Sequence, residues 1–212
     1  NTDSLTGKVL IAMPGMSDPR FSRSVVLICA HGDEGAMGLV VNRPIDGLDF
    51  SDLLKQLEID ATPLAREVPV HFGGPVEPGR GFVLHRAADA DEIDEGDGRM
   101  RIGESDLAMT TTRDILEDLA RGRGPQAAVL SLGYAGWEAG QLEREMLANG
   151  WLTAEASDDI LFGTDNDHKW QIALKSLGVD PVMLSSAAGH AGSARRAARA
   201  TRPACPGGPG LP

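Results

Sequence analysis

Five histidines, His31, His71, His85, His168 and His190, are the side chains best suited to acid–base or metal chemistry in this sequence. Imidazole changes charge near neutral pH and ligates metals readily. No two are spaced as a local metal pair, and the His-Glu-x-x-His helix of zinc hydrolases is absent. His31, His71 and His85 fall at or in predicted strands, where each reads as a partly buried ring bonded to backbone. His31 and His85 stay in view as polar candidates for a site that a carboxylate completes in the fold. Ser131 ends a strand, but Val129 stands where a nucleophile elbow needs Gly. Gly122-Arg123-Gly124-Pro125-Gln126-Ala127 fits a loose dinucleotide fingerprint. It follows a helix and precedes a strand, however, the reverse of what sets a pyrophosphate on a helix N-terminus. The acidic run Asp89, Asp91, Glu92, Asp94, Glu95 and Asp97 lacks calcium-loop order and reads as a solvated loop. Cys29 lies in an apolar run and reads as a small buried hydrophobe, while Cys205 lies far away. Neither a disulfide framework nor a metal or cofactor site is expected.

Shaped turns remain. Arg43, between Asn42 and Pro44 at a strand end, could recognise an anion or carboxylate, or form a salt bridge to the rest of an acidic body. Gly73-Gly74-Pro75 can take backbone angles closed to bulkier residues and cradle an anion, or simply reverse a strand. Tyr134 and Trp137 offer an aromatic ledge at a predicted strand-to-helix turn, or pack in the core. Glu143, beside an apolar stripe, needs a donor such as Gln141, Arg43 or a backbone N–H. Asn42, Arg43, Gly73, Gly74, Tyr134, Trp137, Gln141 and Glu143 therefore form the candidate ligand or partner surface.

The elements that must position these residues mix strands and helices. Val9–Ala12, Val25–Ala30 and Met37–Val41 read as strands. The last two form an antiparallel hairpin, because the turn at Gly32-Asp33-Glu34-Gly35 is too short for a parallel crossover. Val70–Phe72, Phe82–His85, Met100–Ile102, Leu107–Met109, Ala127–Leu132, Trp151–Thr153 and Val182–Leu184 are further predicted strands. Helical spacing places Phe50, Leu53, Leu54 and Leu57 on one face after the cap Asp49. Thr111 with Asp114 caps a second predicted helix, which Gly122 ends. Gly136-Trp137 opens a third, with Ala139, Leu142 and Met146 on one face and Gly150 closing it. Thr164 with Asp167 caps a fourth, with Trp170, Ala173, Leu174 and Leu177 as its stripe and Gly178 as its stop. Hairpins interleaved with isolated helices predict an α+β fold.

The 212 residues are 42% hydrophobic and 24% charged, within the globular range, with only 4% aromatic. Thirty-one acidic against 20 basic residues give a net charge of -11. Residues 192–212 hold Arg195, Arg196, Arg199 and Arg202, no acid, and many Pro and Gly. They read as a disordered tail behind a single domain over 1–191. Without that tail the body is more acidic still, so direct DNA binding by the body is not expected. No apolar run reaches the roughly 18 residues of a membrane span, and no secretory signal is evident at Asn1–Ser4. A reducing cytoplasm and no membrane partner are the expectation.

Several separated segments, in order, carry a family resemblance. They are Met13-Pro14-Gly15-Met16-Ser17-Asp18-Pro19-Arg20-Phe21, Gly35-Ala36-Met37-Gly38, Asn42-Arg43-Pro44, Gly73-Gly74-Pro75-Val76, Gly81-Phe82-Val83-Leu84-His85 and Leu132-Gly133-Tyr134-Ala135-Gly136-Trp137. Gln141-Leu142-Glu143, Trp151-Leu152 and Trp170 with Ala173-Leu174 follow. From about Leu5 to Ala191 the chain resembles the YqgE/AlgH family of bacterial proteins. The resemblance implies an α+β fold with a mixed, mainly antiparallel, bifurcated sheet forming a partial barrel, and peripheral helices. It implies no established reaction. One branch is described as a candidate transcriptional regulator, yet no helix-turn-helix with a basic recognition helix is visible.

Three functions follow as expectations. The favoured one is a non-enzymatic protein that binds an unknown protein or small-molecule partner in a cleft. A second is an enzyme joining His31 or His85 to Glu143 or an Asp. The third is a regulator contacting DNA through the arginine tail.

Overall fold

The computed structural model describes residues 4–87 and 98–184. Its strands are β1 (Lys8–Ala12), β2 (Val25–Gly32), β3 (Gly35–Val40), β4 (Val70–Phe72), β5 (Val76–Arg86), β6 (Arg99–Arg101), β7 (Leu107–Thr110), β8 (Ala128–Glu138) and β9 (Trp151–Glu155). Helices are α1 (Phe50–Gln56), α2 (Arg113–Ala120), α3 (Gln141–Leu147), α4 (Asp158–Leu161) and α5 (Lys169–Ser176). The sheet order is β6-β7-β5-β8-β3-β2-β1-β9, with β4 added parallel to β8. The other ladders are antiparallel. The sheet curls into a half-barrel, and the protein is α+β, as the resemblance implies.

The runs of β1 and β2 are apolar without alternation because both faces are covered. Val9, Ile11, Val25, Leu27 and Cys29 face a core that includes Trp170, Ala173 and Leu174 of α5. Leu10, Val26 and Ile28 face a second core with Trp137, Trp151 and Leu142. A third core sits between α1, α2 and the β4–β5–β8 region. The β2–β3 hairpin closes at Gly32 and Gly35, as predicted. Cys29 is buried, which pushes its thiol up to about 12.

Strand β8 is where the sheet forks. Its first half pairs with β4 and β5, and its second half, Ala135–Glu138, pairs with β3. Gly73 bridges the two branches: its N–H donates to Leu132 and its carbonyl accepts from Val40, both at 2.8 Å. A Cβ on Gly73 would lie 2.2 Å from the Gly133 oxygen, and one on Gly74 2.0 Å from the Tyr134 carbonyl carbon. The backbones cross so closely that no side chain fits between them.

Several boundaries differ from expectation. The segment from Gly133 to Trp137 is strand rather than a turn into a helix, and α3 starts only at Gln141. Pairing with β3 holds it extended. Asn149, not Gly150, takes the left-handed angle after α3, with φ of 57°. Thr112, not Thr111, sits at the N-cap of α2, while the Thr111 hydroxyl donates to the Gly98 carbonyl. His168 rather than Thr164 precedes α5. Residues 182–184 belong to a helical turn, not a strand. Asp49 caps α1 by accepting from the Asp52 N–H at 2.8 Å, as predicted. Gly122 and Gly178 follow α2 and α5 in the left-handed region. The acidic run Asp89–Asp97, His190, Cys205 and the arginine tail lie outside the described residues.

Candidate functional site

Where β8 ends, the left-handed Gly140 (φ 67°) turns the chain into α3. Helical spacing then puts Gln141 and Glu145 on one face, four residues apart. The β8 and β9 ends bring Trp137 and Trp151 beside them. On the Glu145 carboxylate three donors converge. Trp151 Nε1 donates at 2.8 Å and Trp137 Nε1 at 3.0 Å, both to Oε2, and Gln141 Nε2 donates to Oε1 at 2.9 Å. Gln141 Oε1 in turn accepts from the Glu138 N–H.

This cluster walls a cleft of about 450 Å³, closed on its other side by the loop from Gly15 to Phe21. The two indoles meet edge to face, with centroids 6.0 Å apart and planes at 78°. Phe21 packs edge-on to Trp151 at 5.8 Å. At the rim Arg20 grips Asp18 through Nε at 3.0 Å and Nη2 at 2.7 Å. That guanidinium holds the Asp18 carboxyl below the usual carboxylate range.

Of the eight surface candidates read from the sequence, the structure places two in the lining of this cleft and the others outside it. Trp137 and Gln141 line it. Asn42 and Arg43 brace the chain that leads out of the loop. Asn42 accepts from the Val25 N–H and donates to the Arg23 carbonyl, both at 2.9 Å. Arg43 donates to the Ser22 carbonyl at 3.0 Å, and among the described residues its guanidinium meets carbonyls rather than a salt-bridge partner. Burial lowers its proton affinity, with the Asp18 charge opposing. Gly73 and Gly74 lie at the sheet fork, and the next residues, Pro75 and Val76, reach the cleft wall. Tyr134 falls elsewhere, edge-on to Phe82 at 5.9 Å, in a groove with Met37, Met100 and Met109.

Glu143 pairs with His31 instead: Nε2 of the ring lies 2.7 Å from Oε1. The Leu5 N–H donates to His31 Nδ1 at 3.1 Å, so Nε2 carries the hydrogen that Glu143 accepts. Its own backbone N–H first, and His31 second, hold the Glu143 carboxyl below its ordinary range. The enzyme reading's histidine–carboxylate contact thus exists, but both ring nitrogens are engaged. His85 faces the Arg86 carbonyl through Nδ1 and the Thr110 hydroxyl through Nε2, both at 2.8 Å. His71 is buried, and His168 faces Asp165 at the surface.

Sequence reasoning missed Glu145, Phe21 as a cleft wall, and Lys169. The i to i+4 step from Gln141 signals Glu145. Lys169 carries a subtler signal: it lies four residues before Ala173, on that helix's apolar stripe.

Together these features describe an α+β protein whose forked half-barrel sheet carries an aromatic cleft floored by a carboxylate that three N–H donors hold. The chain belongs to the AlgH-like family, whose profile matches residues 9–182. It is 65% identical over 190 residues to a UPF0301 protein of Paracoccus denitrificans, covering 90% of this chain and 98% of that one. A UPF0301 protein of Ruegeria pomeroyi is 55% identical over 188 residues, covering 88% and 99%. The solution structure of the AlgH protein from Pseudomonas aeruginosa superposes with a TM-score of 0.69 at 41% identity, covering 87% and 95%. A crystal structure from Corynebacterium diphtheriae shares the fold, with a TM-score of 0.64 at 22% identity over 82% and 87%. Among the described residues no helix is long and apolar enough to cross a membrane, and no group of three His, Cys, Asp or Glu could hold a metal.

Proposed function

We propose that this protein is a non-enzymatic, cytoplasmic binding protein that holds a small ligand or a segment of a partner protein in the Trp137–Trp151 cleft. One observation carries this reading. The carboxylate at the cleft floor, Glu145, already accepts from three donors. Three of its roughly four acceptor positions are spent, so it is a poor general base. Aromatic walls with a few fixed polar groups favour recognition by shape. A regulatory role, the alternative that the resemblance implies, would run through such a partner, because the acidic body repels DNA phosphates.

Small-molecule mass spectrometry on protein incubated with a cell extract, beside a pull-down, tests the reading. The comparison variant is Gly15→Trp. Gly15 lines the cleft and a Cβ there meets nothing within 4 Å, so an indole at this position is expected to obstruct the cleft without a clash at its base. A compound or partner held by the wild type and lost by this variant supports the cleft. Equal retention by both places binding elsewhere.

A further inference from the structure

A second polar cluster lies inside the protein, apart from the cleft. His71 of β4 and Ser131 of β8 are register partners, each 1% exposed. Phe82 pairs with Ser131 across the next ladder and belongs to the core that α5 covers. His71 and Ser131 therefore face that core. Lys169 opens α5 at 0% exposure, and its ammonium Nζ donates to the Val41 carbonyl at 2.8 Å. Among the described residues that bond is its partnership: burial alone pushes its ammonium down to about 8, with no carboxylate opposing. Among the described residues Ser131 Oγ is buried without a hydrogen-bond partner, and neither nitrogen of the buried His71 ring makes a close hydrogen bond, although the Asn166 side chain lies beside the ring as a weak partner. Asn166 and Lys169 both act on the His71 ring, which burial pushes down to about 4, so the imidazole is neutral.

The inventory is one positive charge and a surplus of donors. The ammonium has N–H groups to spare and the Ser131 hydroxyl adds another; the neutral imidazole adds its one N–H when the Asn166 amide offers its NH₂ to the ring's acceptor nitrogen. The Asn166 amide can turn its NH₂ inward. Waters would fill the hydrogen bonds but leave a buried cation without a counter-charge, which proteins avoid. A dianion would overshoot the single charge. We infer that His71, Ser131, Asn166 and Lys169 form an internal site for one small monovalent anion of halide size.

Thermal unfolding of the full chain tests this, with chloride exchanged for gluconate at constant ionic strength. Chloride at a hundredfold excess over its Kd should raise Tm by roughly 5–10 °C. Lys169→Met should abolish the dependence while still folding, since removing a buried unpaired charge offsets the lost bond. Ser131→Ala should weaken chloride affinity several-fold and serves if the first variant fails to fold. Crystals soaked in bromide should show an anomalous peak between Lys169 Nζ and the His71 ring. A wild-type Tm indifferent to chloride, an equal response in both variants, or bromide at adventitious surface sites only would overturn the assignment.

Discussion

Glu145 binds three N–H donors that belong to two strands and a helix, so its removal disturbs more than its own charge. Glu145→Gln keeps the shape but turns an NH₂ toward an indole N–H or the Gln141 amide. A loss on the order of 2 kcal/mol is expected, read by urea unfolding followed through tryptophan emission. His71 gives a pH prediction. Its ring is pushed from 6.5 to about 4, first by burial and then by Lys169, with Asn166 opposing. The unfolded chain therefore binds that proton at higher pH than the folded one. Stability from this group is full above pH 6.5 and falls as pH drops toward 4, by on the order of 3 kcal/mol in all. Ser131, the register partner, carries no charge. Urea midpoints across that window, in gluconate, should slope for the wild type and flatten for His71→Leu. At this scale the sequence was only half legible. It marks Gln141 and Trp137 but not Glu145, whose partners are set by how α3 crosses the strand ends. It expects Glu143 to need a donor, but His31 lies 112 positions away along the chain.

At the scale of elements, the fork of β8 depends on backbones in contact. Gly74→Ala would place a methyl 2.0 Å from the Tyr134 carbonyl carbon. Relief would require the two branches to part, so a loss above about 3 kcal/mol or insoluble protein is expected. Gly79→Ala, in the same strand region with open space around it, should change stability by less than about 0.5 kcal/mol. Thermal melts of the pair check both. Local pattern found the β2–β3 hairpin, α1 with its Asp49 cap and the apolar stripe of α5, because these rest on nearby residues. It misread Gly133–Trp137, where glycines and aromatics mimic a turn. Only the distant β3 strand makes that segment extended, a tertiary contact outweighing local preference. Residues 182–184 fail the other way: three apolar residues are too few to separate strand from helix.

For the whole molecule, three cores wrapped on both faces of one curled sheet leave an aromatic cleft where β8, α3 and β9 meet the Gly15–Phe21 loop. The α+β class was legible from hairpins between helices, and the forked half-barrel from the family resemblance. The cleft was not, because its walls are gathered from residues far apart in sequence. Native mass spectrometry of the purified protein with an extracted metabolite pool bears most directly on whether this cleft holds rather than converts. The expected result is a retained compound whose mass is unchanged after prolonged incubation and release, and which Gly15→Trp fails to retain. A retained compound that leaves as a different molecule, or one that Gly15→Trp retains equally, would contradict it.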